Sequence, residues 1–410
     1  MKLSLYIANR IAFNERTSFS RFIIRIAILA VTLSVSVMII GTAVTQGYQD
    51  VISTKFFNCW GHIHVTNFLP EAGSILNDEK ILFDKNLENQ IRKHKGVTSI
   101  HPYTVQSSLL KTKSDMEGLL LKGVFSAQNY APLKDYLIAG RSFQTSDSSF
   151  NPILISKYTA DKLQLNVNDA IVLYFLNKNQ YQPKARKAIV IGIFNTGLED
   201  YDKMFALCNA SLIHQINDES DDKIQGYEIH IENPAQADII EQEIYEQYLS
   251  PPLQAYTLQK RFPNVFSWLN MMQMNERIII VIMLVIAIIN MITALLILIL
   301  ERTQMIGILK SIGMRNGTIR QIFLINSLQV ILLGILFGSV LGISICLLQQ
   351  YAGIIKLDEA TYYVKTVPIS LKFKTIVWID IVTIISCLTL LIIPSFIIKN
   401  ITPVKALKFN

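Results

Sequence analysis

The fold class this sequence predicts is a membrane protein. Four transmembrane helices stand in a 1+3 arrangement, with a large α+β extracytoplasmic domain inserted between the first and second. Three observations predict it. Apolar segments fall at about residues 26–44, 278–300, 322–348 and 376–398, each long enough to cross a hydrocarbon core of about 30 Å at about 1.5 Å per helical residue. The stretch between the first two is mostly polar and strand-rich, and a backbone in lipid must satisfy its own hydrogen bonds, so the apolar segments read as helices. Composition agrees: 51% hydrophobic residues and a mean hydropathy of +0.35 exceed an ordinary soluble chain yet fall short of an all-membrane bundle.

In chain order, residues 1–21 read as a cytoplasmic tail with an interfacial helix and 22–47 as the first span. Residues 48–276 form the extracytoplasmic domain and 277–300 the second span. Residues 301–321 are a cytoplasmic loop, 322–348 the third span, 349–375 a short outer loop, 376–398 the fourth span and 399–410 a cytoplasmic tail. The first segment starts too far in, runs too long and lacks a convincing small-residue cleavage site for a signal peptide. The net charge of +7 reflects basic residues clustered beside apolar segments, which fits topology and a membrane surface rather than nucleic acid. Lys2, Arg10, Arg16, Arg21 and Arg25 precede or edge the first span and hold the N-terminus inside. The inner loop (Arg302, Lys310, Arg315, Arg320) and the outer loop (Lys356, Lys365, Lys372, Lys374, against Asp358 and Glu359) tie, and Lys399, Lys405 and Lys408 support a cytoplasmic C-terminus.

Within the insert, residues 62–66, 118–125, 169–175 and 187–194 read as strands bounded by Gly, Asn and Asp. Residues 77–95, 156–165 and 234–249 carry the spacing of amphipathic helices, the last opening on Pro234. The whole reads as α+β with one or two subdomains.

Catalytic and metal signals are poor. No G-x-x-x-x-G-K-[ST] phosphate loop occurs, so ATP is not expected to bind in that manner on this chain. His62 and His64 lack a third ligand nearby and read as ordinary residues rather than a metal site. Cys346 and Cys387 lie in spans as small apolar residues. Cys59 and Cys208 both lie outside, and the sequence leaves open whether they form a disulfide. Asp380, the one carboxylate within a span, lies close to Trp378 and reads as interfacial.

The strongest functional signal is the inner loop, residues 301–315, ERTQMIGILKSIGMR. It reads as a helical continuation of the second span in which Met305, Ile308, Leu309 and Ile312 form one apolar stripe. Glu301, Arg302 and Lys310 flank the stripe, and Gly307 and Gly313 permit close approach and a helix end. A short amphipathic helix between two spans calls for a partner groove.

Those residues, with the run from Ile319 to Asn326, the glycines Gly334, Gly338 and Gly342, and the ending Thr402-Pro-Val-Lys-Ala-Leu-Lys408, resemble the core of FtsX-type ABC transporter permeases. The runs 190–206 (VIGIFNTGLEDYDKMFA), 163–173, 44–49 and 261–270 resemble the lipoprotein-releasing, Lol-type members. Asp169-Ala170 stands where that family often has Gly-Asp, and Thr45-Gln46-Gly47-Tyr48 where it often has Met-Asn-Gly-Phe.

The resemblance implies a transport subunit that is not itself an enzyme. Its cofactors, ATP and Mg, would bind a separate cytoplasmic ABC ATPase homodimer. The 301–313 loop, with Glu301, Arg302, Met305, Ile308, Leu309, Lys310, Ile312 and Gly313, would dock on that ATPase. It further implies a second permease subunit, identical or a sister chain, a lipoprotein substrate drawn from the inner membrane, and a periplasmic carrier. Thr45, Gln46 and Tyr48 would lie near substrate. Tyr181, Gln182, Pro183 and Lys184 would form a carrier-binding hook, unless that stretch is an ordinary basic hairpin. Two other functions stay open: an exporter of peptides or toxins of the macrolide-exporter type, usually with its ATPase on the same chain, and a signal transmitter that activates a cell-wall hydrolase, usually with a shorter outer domain.

Overall fold

The computed structural model describes residues 18–68, 79–112, 115–125, 134–144, 151–175 and 184–400. The N-terminal tail, the tip of the expected hook and the C-terminal ending lie largely outside them. The chain divides into two units: Met1–Asp50 with Asn270–Lys356 and Thr366–Asn410, and Val51–Leu269 with Leu357–Lys365.

Among the described residues four helices are long and apolar enough to span a membrane: α1 (Ser18–Trp60), α2 (Pro263–Glu301), α3 (Asn316–Ala352) and α4 (Phe373–Ser395). α1 has 43 residues and α2 has 39, so each is about twice the ~20 residues a span requires. In the first unit the helices are held by residues at four- and eight-residue spacing: Val31, Val35 and Ile39 on α1, Ala287, Met291 and Leu295 on α2, Phe323 and Ile331 on α3, Cys387 and Leu391 on α4. Glycines set the closest approach. A Cβ on Gly334 would lie 2.7 Å from Val31, and one on Gly338 2.8 Å from both the Thr32 carbonyl and Val35. Thr32 Oγ1 donates to the Gly334 carbonyl at 3.2 Å. Lipid offers no hydrophobic drive between helices, so this close van der Waals fit and interhelical hydrogen bonding take its place.

The described residues of the second unit form twelve strands: β1 (Ile63–Asn67), β2 (Ile81–Leu82), β3 (Val97–Lys111), β4 (Met116–Val124), β5 (Leu137–Gly140), β6 (Pro152–Ser156), β7 (Ala170–Phe175), β8 (Lys184–Phe194), β9 (Phe205–Asn209), β10 (Lys223–Ile224), β11 (Gly226–Ile231) and β12 (Leu253–Thr257). Ten form one sheet in the order β12-β1-β11-β3-β4-β9-β6-β8-β5, and β7 pairs with both β3 and β8. The pairings β3-β4-β9-β6-β8-β7-β3 therefore close on themselves into a six-stranded barrel, which removes free edges. Its interior holds Leu121, Ile153, Leu173, Phe175, Val190 and Ala206. The open remainder, β12-β1-β11 with the first half of β3, is covered by helices Lys85–Arg92 and Ala237–Tyr248 over a second core of Ile63, Val65, Ile91, Ile100, Ile229 and Ile244. The fifteen-residue β3 serves both lobes.

The helix expected over 77–95 forms only at Lys85–Arg92, capped by Asp84, whose side chain accepts from the Asn86 and Leu87 amides; Ile81–Leu82 ahead of it is strand. The helices expected at 156 and 234 start as read, with Ser156 accepting from Thr159 and Pro234 opening a 3-10 turn before Ala237–Tyr248. All four cysteines are buried and none is in a disulfide, and burial pushes the Cys59 and Cys208 thiols up, away from the reactive thiolate.

Candidate functional site

The loop after α2 does not continue that helix smoothly. Arg302 (φ −102, ψ 18) breaks it, and a separate helix runs over Thr303–Ser311. The expected single stripe is divided accordingly. Ile306 is fully buried, and Met305 and Leu309 pack against the membrane core. Ile308 and Ile312 face out at 46% and 77% exposure. The face turned to the bundle is centred on Ile306 and Leu309, which leaves Ile308 on the flank away from it, while Ile312 stands past the last helical residue, in the exit turn. Glu301 belongs to α2, and Ile312 and Gly313 to the exit turn. Gly313 holds φ +89, its amide donates to Lys310 and the Met314 amide reaches back to Leu309 at 3.0 Å, a closure that requires a left-handed residue. Lys310 Nζ donates to the Ile398 carbonyl at 2.7 Å, fixing the loop helix to the residues that follow α4.

At the other end of the same unit, Gln46 donates to Thr375 Oγ1 at 3.5 Å. It lines a small pocket with Thr42, Ala43, Ser370 and Ile376. Thr45 is half-buried. Tyr48 is buried, so it offers no free surface to a substrate in this conformation. Asp380 is half-buried and accepts from Ser339 Oγ of α3 at 3.1 Å. The carboxylate that read as interfacial is thus a helix–helix contact.

In the second unit, β7 and β8 pair from Ala170↔Ile189 to Phe175↔Lys184, so the expected hook is the connection of an antiparallel hairpin. Tyr181, Gln182 and Pro183 lie outside the described residues. Lys184 does not project as a contact residue. It donates to the Ile216 carbonyl at 2.7 Å and pairs with Asp218, anchoring the base of the hairpin.

The arrangement sequence reasoning missed lies where α1 ends and α2 begins. Phe56, Phe57 and Trp60 pack against Phe262 and Phe266, with ring centroids 5.8–6.2 Å apart. Beneath them lies a buried polar network. Lys122 of β4 donates to the Cys59 carbonyl at 2.6 Å, pairs with Glu228 of β11 at 2.5 Å and sits 4.3 Å from the Trp60 ring centroid. Arg261 donates to His64 Nδ1 at 2.7 Å and to Tyr103 at 3.1 Å. With Nδ1 accepting, the His64 proton is on Nε2, which donates to the Trp60 carbonyl. Burial first, then the Arg261 charge, hold His64 well below its usual value, so it is neutral. The last carbonyls of a helix have no partner within it, and here Lys122 and His64 supply those partners from the sheet. A lysine in a strand and an arginine before an apolar helix gave no signal of this in sequence, because their meeting depends on the β1-β11-β3-β4 order.

The motif Asn195-Thr196-Gly197 is held by Asp202, which accepts from the Thr196 amide and hydroxyl and the Gly197 amide at 2.8–3.3 Å. Burial pushes its carboxyl up to about 6 against those bonds. Among the described residues no group of three or more His, Cys, Asp or Glu side chains is placed to hold a metal ion.

Comparison with known proteins follows the same division. Residues 26–246, more than half of the chain, match the MacB-like periplasmic core domain, and residues 277–403 match the FtsX-like permease C-terminal region. The chain is 19% identical over 97% of its length, and 96% of the relative's, to the lipoprotein-releasing system transmembrane protein LolC of Neisseria meningitidis. It is 20% identical over 90% of its length, and 89% of the relative's, to LolE of Haemophilus influenzae. The crystal structure of the periplasmic region of MacB from Actinobacillus actinomycetemcomitans matches 48% of this chain and 87% of that one, at 14% identity and a TM-score of 0.35.

Proposed function

Because this chain belongs to the permeases that join a MacB-like periplasmic core domain to an FtsX-like C-terminal region, we propose that it is the permease subunit of an ABC-type lipoprotein-release complex. It sits in the inner membrane with both termini in the cytoplasm and the inserted domain in the periplasm. The observation that carries this reading is similarity to LolC and LolE over nearly the whole chain. A separate ATPase homodimer binds ATP and Mg and docks on the loop helix through the exposed Ile308 and Ile312. A second permease subunit, the same or a sister chain, completes the membrane path.

The work is mechanical. Each CH₂ drawn out of lipid costs about 0.8 kcal/mol, so several long acyl chains do not leave unaided. The continuous α1 and α2, clasped at Phe56, Trp60, Phe262 and Phe266, support transmission of motion from the ATPase side to the inserted domain. That motion releases the lipoprotein to a periplasmic carrier held by the segment between β7 and β8, to which Tyr181, Gln182 and Pro183 belong in sequence.

Two experiments test the reading. Ile308→Asp combined with Ile312→Asp is expected to abolish co-purification of the ATPase while the inserted domain stays folded by circular dichroism, and intact co-purification refutes the docking face. Leu309→Asp is a poorer probe because Leu309 packs inward. Depletion of the protein is expected to strand outer-membrane lipoproteins in the inner membrane, and normal sorting on fractionation refutes lipoprotein release.

A further inference from the structure

Between α3 and α4 the chain leaves the first unit for nine residues, Leu357–Lys365, and these belong to the second unit. The segment is pinched at its base. Lys356 bridges Thr366, and the Leu357 amide donates to the Lys365 carbonyl at 2.9 Å. Asp358 accepts from Thr361 Oγ1 at 2.8 Å and opens the helical turn Glu359–Tyr362. Tyr363 then reverses the chain at φ +61, a costly conformation for a residue with a side chain.

That reversal aims its carbonyl at Lys55 of α1, whose Nζ donates to it at 2.7 Å. The Tyr363 ring meets Trp268 of α2 edge-on at 6.1 Å. Glu359 accepts from Asn195 Nδ2 at 3.4 Å and pairs with Lys365 at 3.6 Å. The turn it meets is built for the approach. Gly197 sits at φ +70, and a Cβ there would lie 2.6 Å from Lys55 Nζ, 2.8 Å from Glu359 Oε1 and 3.3 Å from the Tyr363 carbonyl. Nine residues between two spans thus touch α1, α2 and the Asp202-held turn after β8.

We propose that Leu357–Lys365 is a strut that fixes the α3–α4 connection to the inserted domain at the Asn195–Gly197 turn, with Lys55, Glu359 and Tyr363 as its positioning residues. The domain then has three attachments, two through the helices that enter and leave it and a third from the half of the membrane unit that follows the loop helix. Motion begun at that loop has this third route along the chain into the domain. The use of the strut in lipoprotein release rests on the function proposed above; its existence does not.

Hydrogen exchange on the full chain in lipid nanodiscs tests it. The Leu357, Tyr362 and Tyr363 amides are expected to be protected. Lys55→Met and Gly197→Val are each expected to lower that protection by about tenfold, as loss of one or two net hydrogen bonds implies, with β3 and β4 unchanged. Lys55→Arg, which keeps a donor, is expected to restore it. Free exchange in the parent chain, or unchanged protection in both variants, overturns the strut. In the complex, Lys55→Met is expected to leave ATP turnover near the parent rate while lipoprotein transfer falls at least fivefold. Equal transfer with lost protection would overturn the strut's role in drive while leaving the contact standing. Absence of transfer in the parent complex would indict the proposed function instead.

Discussion

Gly47 offers a sharp test of how α1 is seated in the membrane unit. A Cβ built on it lies 2.3 Å from the Pro368 carbonyl oxygen, 2.6 Å from that carbonyl carbon and 2.9 Å from the Ile369 amide nitrogen. All three are backbone atoms, so no side chain can swing away and the segment before α4 must move by about 1 Å. That movement strains the Ser370 amide bond to the Ala43 carbonyl at 3.0 Å and the Asp50–Lys372 pair at 2.8 Å. Overpacking of this kind costs about 1–3 kcal/mol and a strained hydrogen bond about 1 more, against about 0.5–1 gained from replacing a helical glycine. The net for Gly47→Ala is destabilisation of about 1–3 kcal/mol. Gly41, less than two turns earlier in the same helix, has nothing within 4 Å of its Cβ direction, so Gly41→Ala is expected to gain about 0.5–1 kcal/mol. The assay is thermal unfolding of the two variants side by side in one detergent. A Gly47→Ala protein as stable as Gly41→Ala would refute the packing of α1 on the 368–369 backbone.

Two further outcomes are expected. Lys122→Met strands a buried Glu228 and should cost about 3–5 kcal/mol, whereas Lys122→Met with Glu228→Gln should recover most of it; a double variant no more stable than the single one in urea titration would contradict the pairing. Stability should also fall on acidification. Burial lowers His62 to about 4 and His230 to about 3 from an unfolded 6.5, so both stay neutral when folded. Their contribution is complete above pH 6.5 and is lost as pH drops through that value towards 4 and 3. Asp202, raised to about 6 from 3.8, runs the opposite way, its contribution present below 3.8 and lost as pH rises through 6, and one carboxyl offsets two histidines only in part. A transition temperature that rises between pH 7 and pH 5, or one unaltered by His62→Gln with His230→Gln, would contradict this.

Much of this architecture was legible because it is written in local pattern. Lipid length and apolar continuity gave four spans, and alternation between turn residues gave β1, β4, β7 and β8 within a few positions. Helix continuation past the membrane was written less visibly: no Gly other than Gly41 and Gly47 and no Pro interrupts α1 until Gly61, and Pro263 opens α2. Hydropathy ends at the lipid boundary but a helix need not, and the end of α1 and the start of α2 run on into the unit of the inserted domain. The division of the loop stripe was not legible, since Ile308, Leu309 and Ile312 are equally apolar and only the neighbouring helices decide which of them turns in. The Lys122–Glu228 and Arg261–His64 contacts were hidden for a different reason. They join positions about 100–200 residues apart, and their geometry exists only once the strand order does.

That strand order bears on how the protein is made. β1 lies between β11 and β12, with His64 opposite Glu228 on one side and Tyr256 on the other. A growing chain that has delivered residue 67 across the membrane therefore has a buried central strand with neither neighbour yet synthesised. Such long-range pairing is slow and leaves apolar edges open to wrong partners. The open lobe cannot close until residue 257 has crossed, six residues before α2 begins. Completion of the outer domain and insertion of the second span are thereby bound into nearly one event, and a chain stalled between them would be a substrate for periplasmic chaperones or proteases.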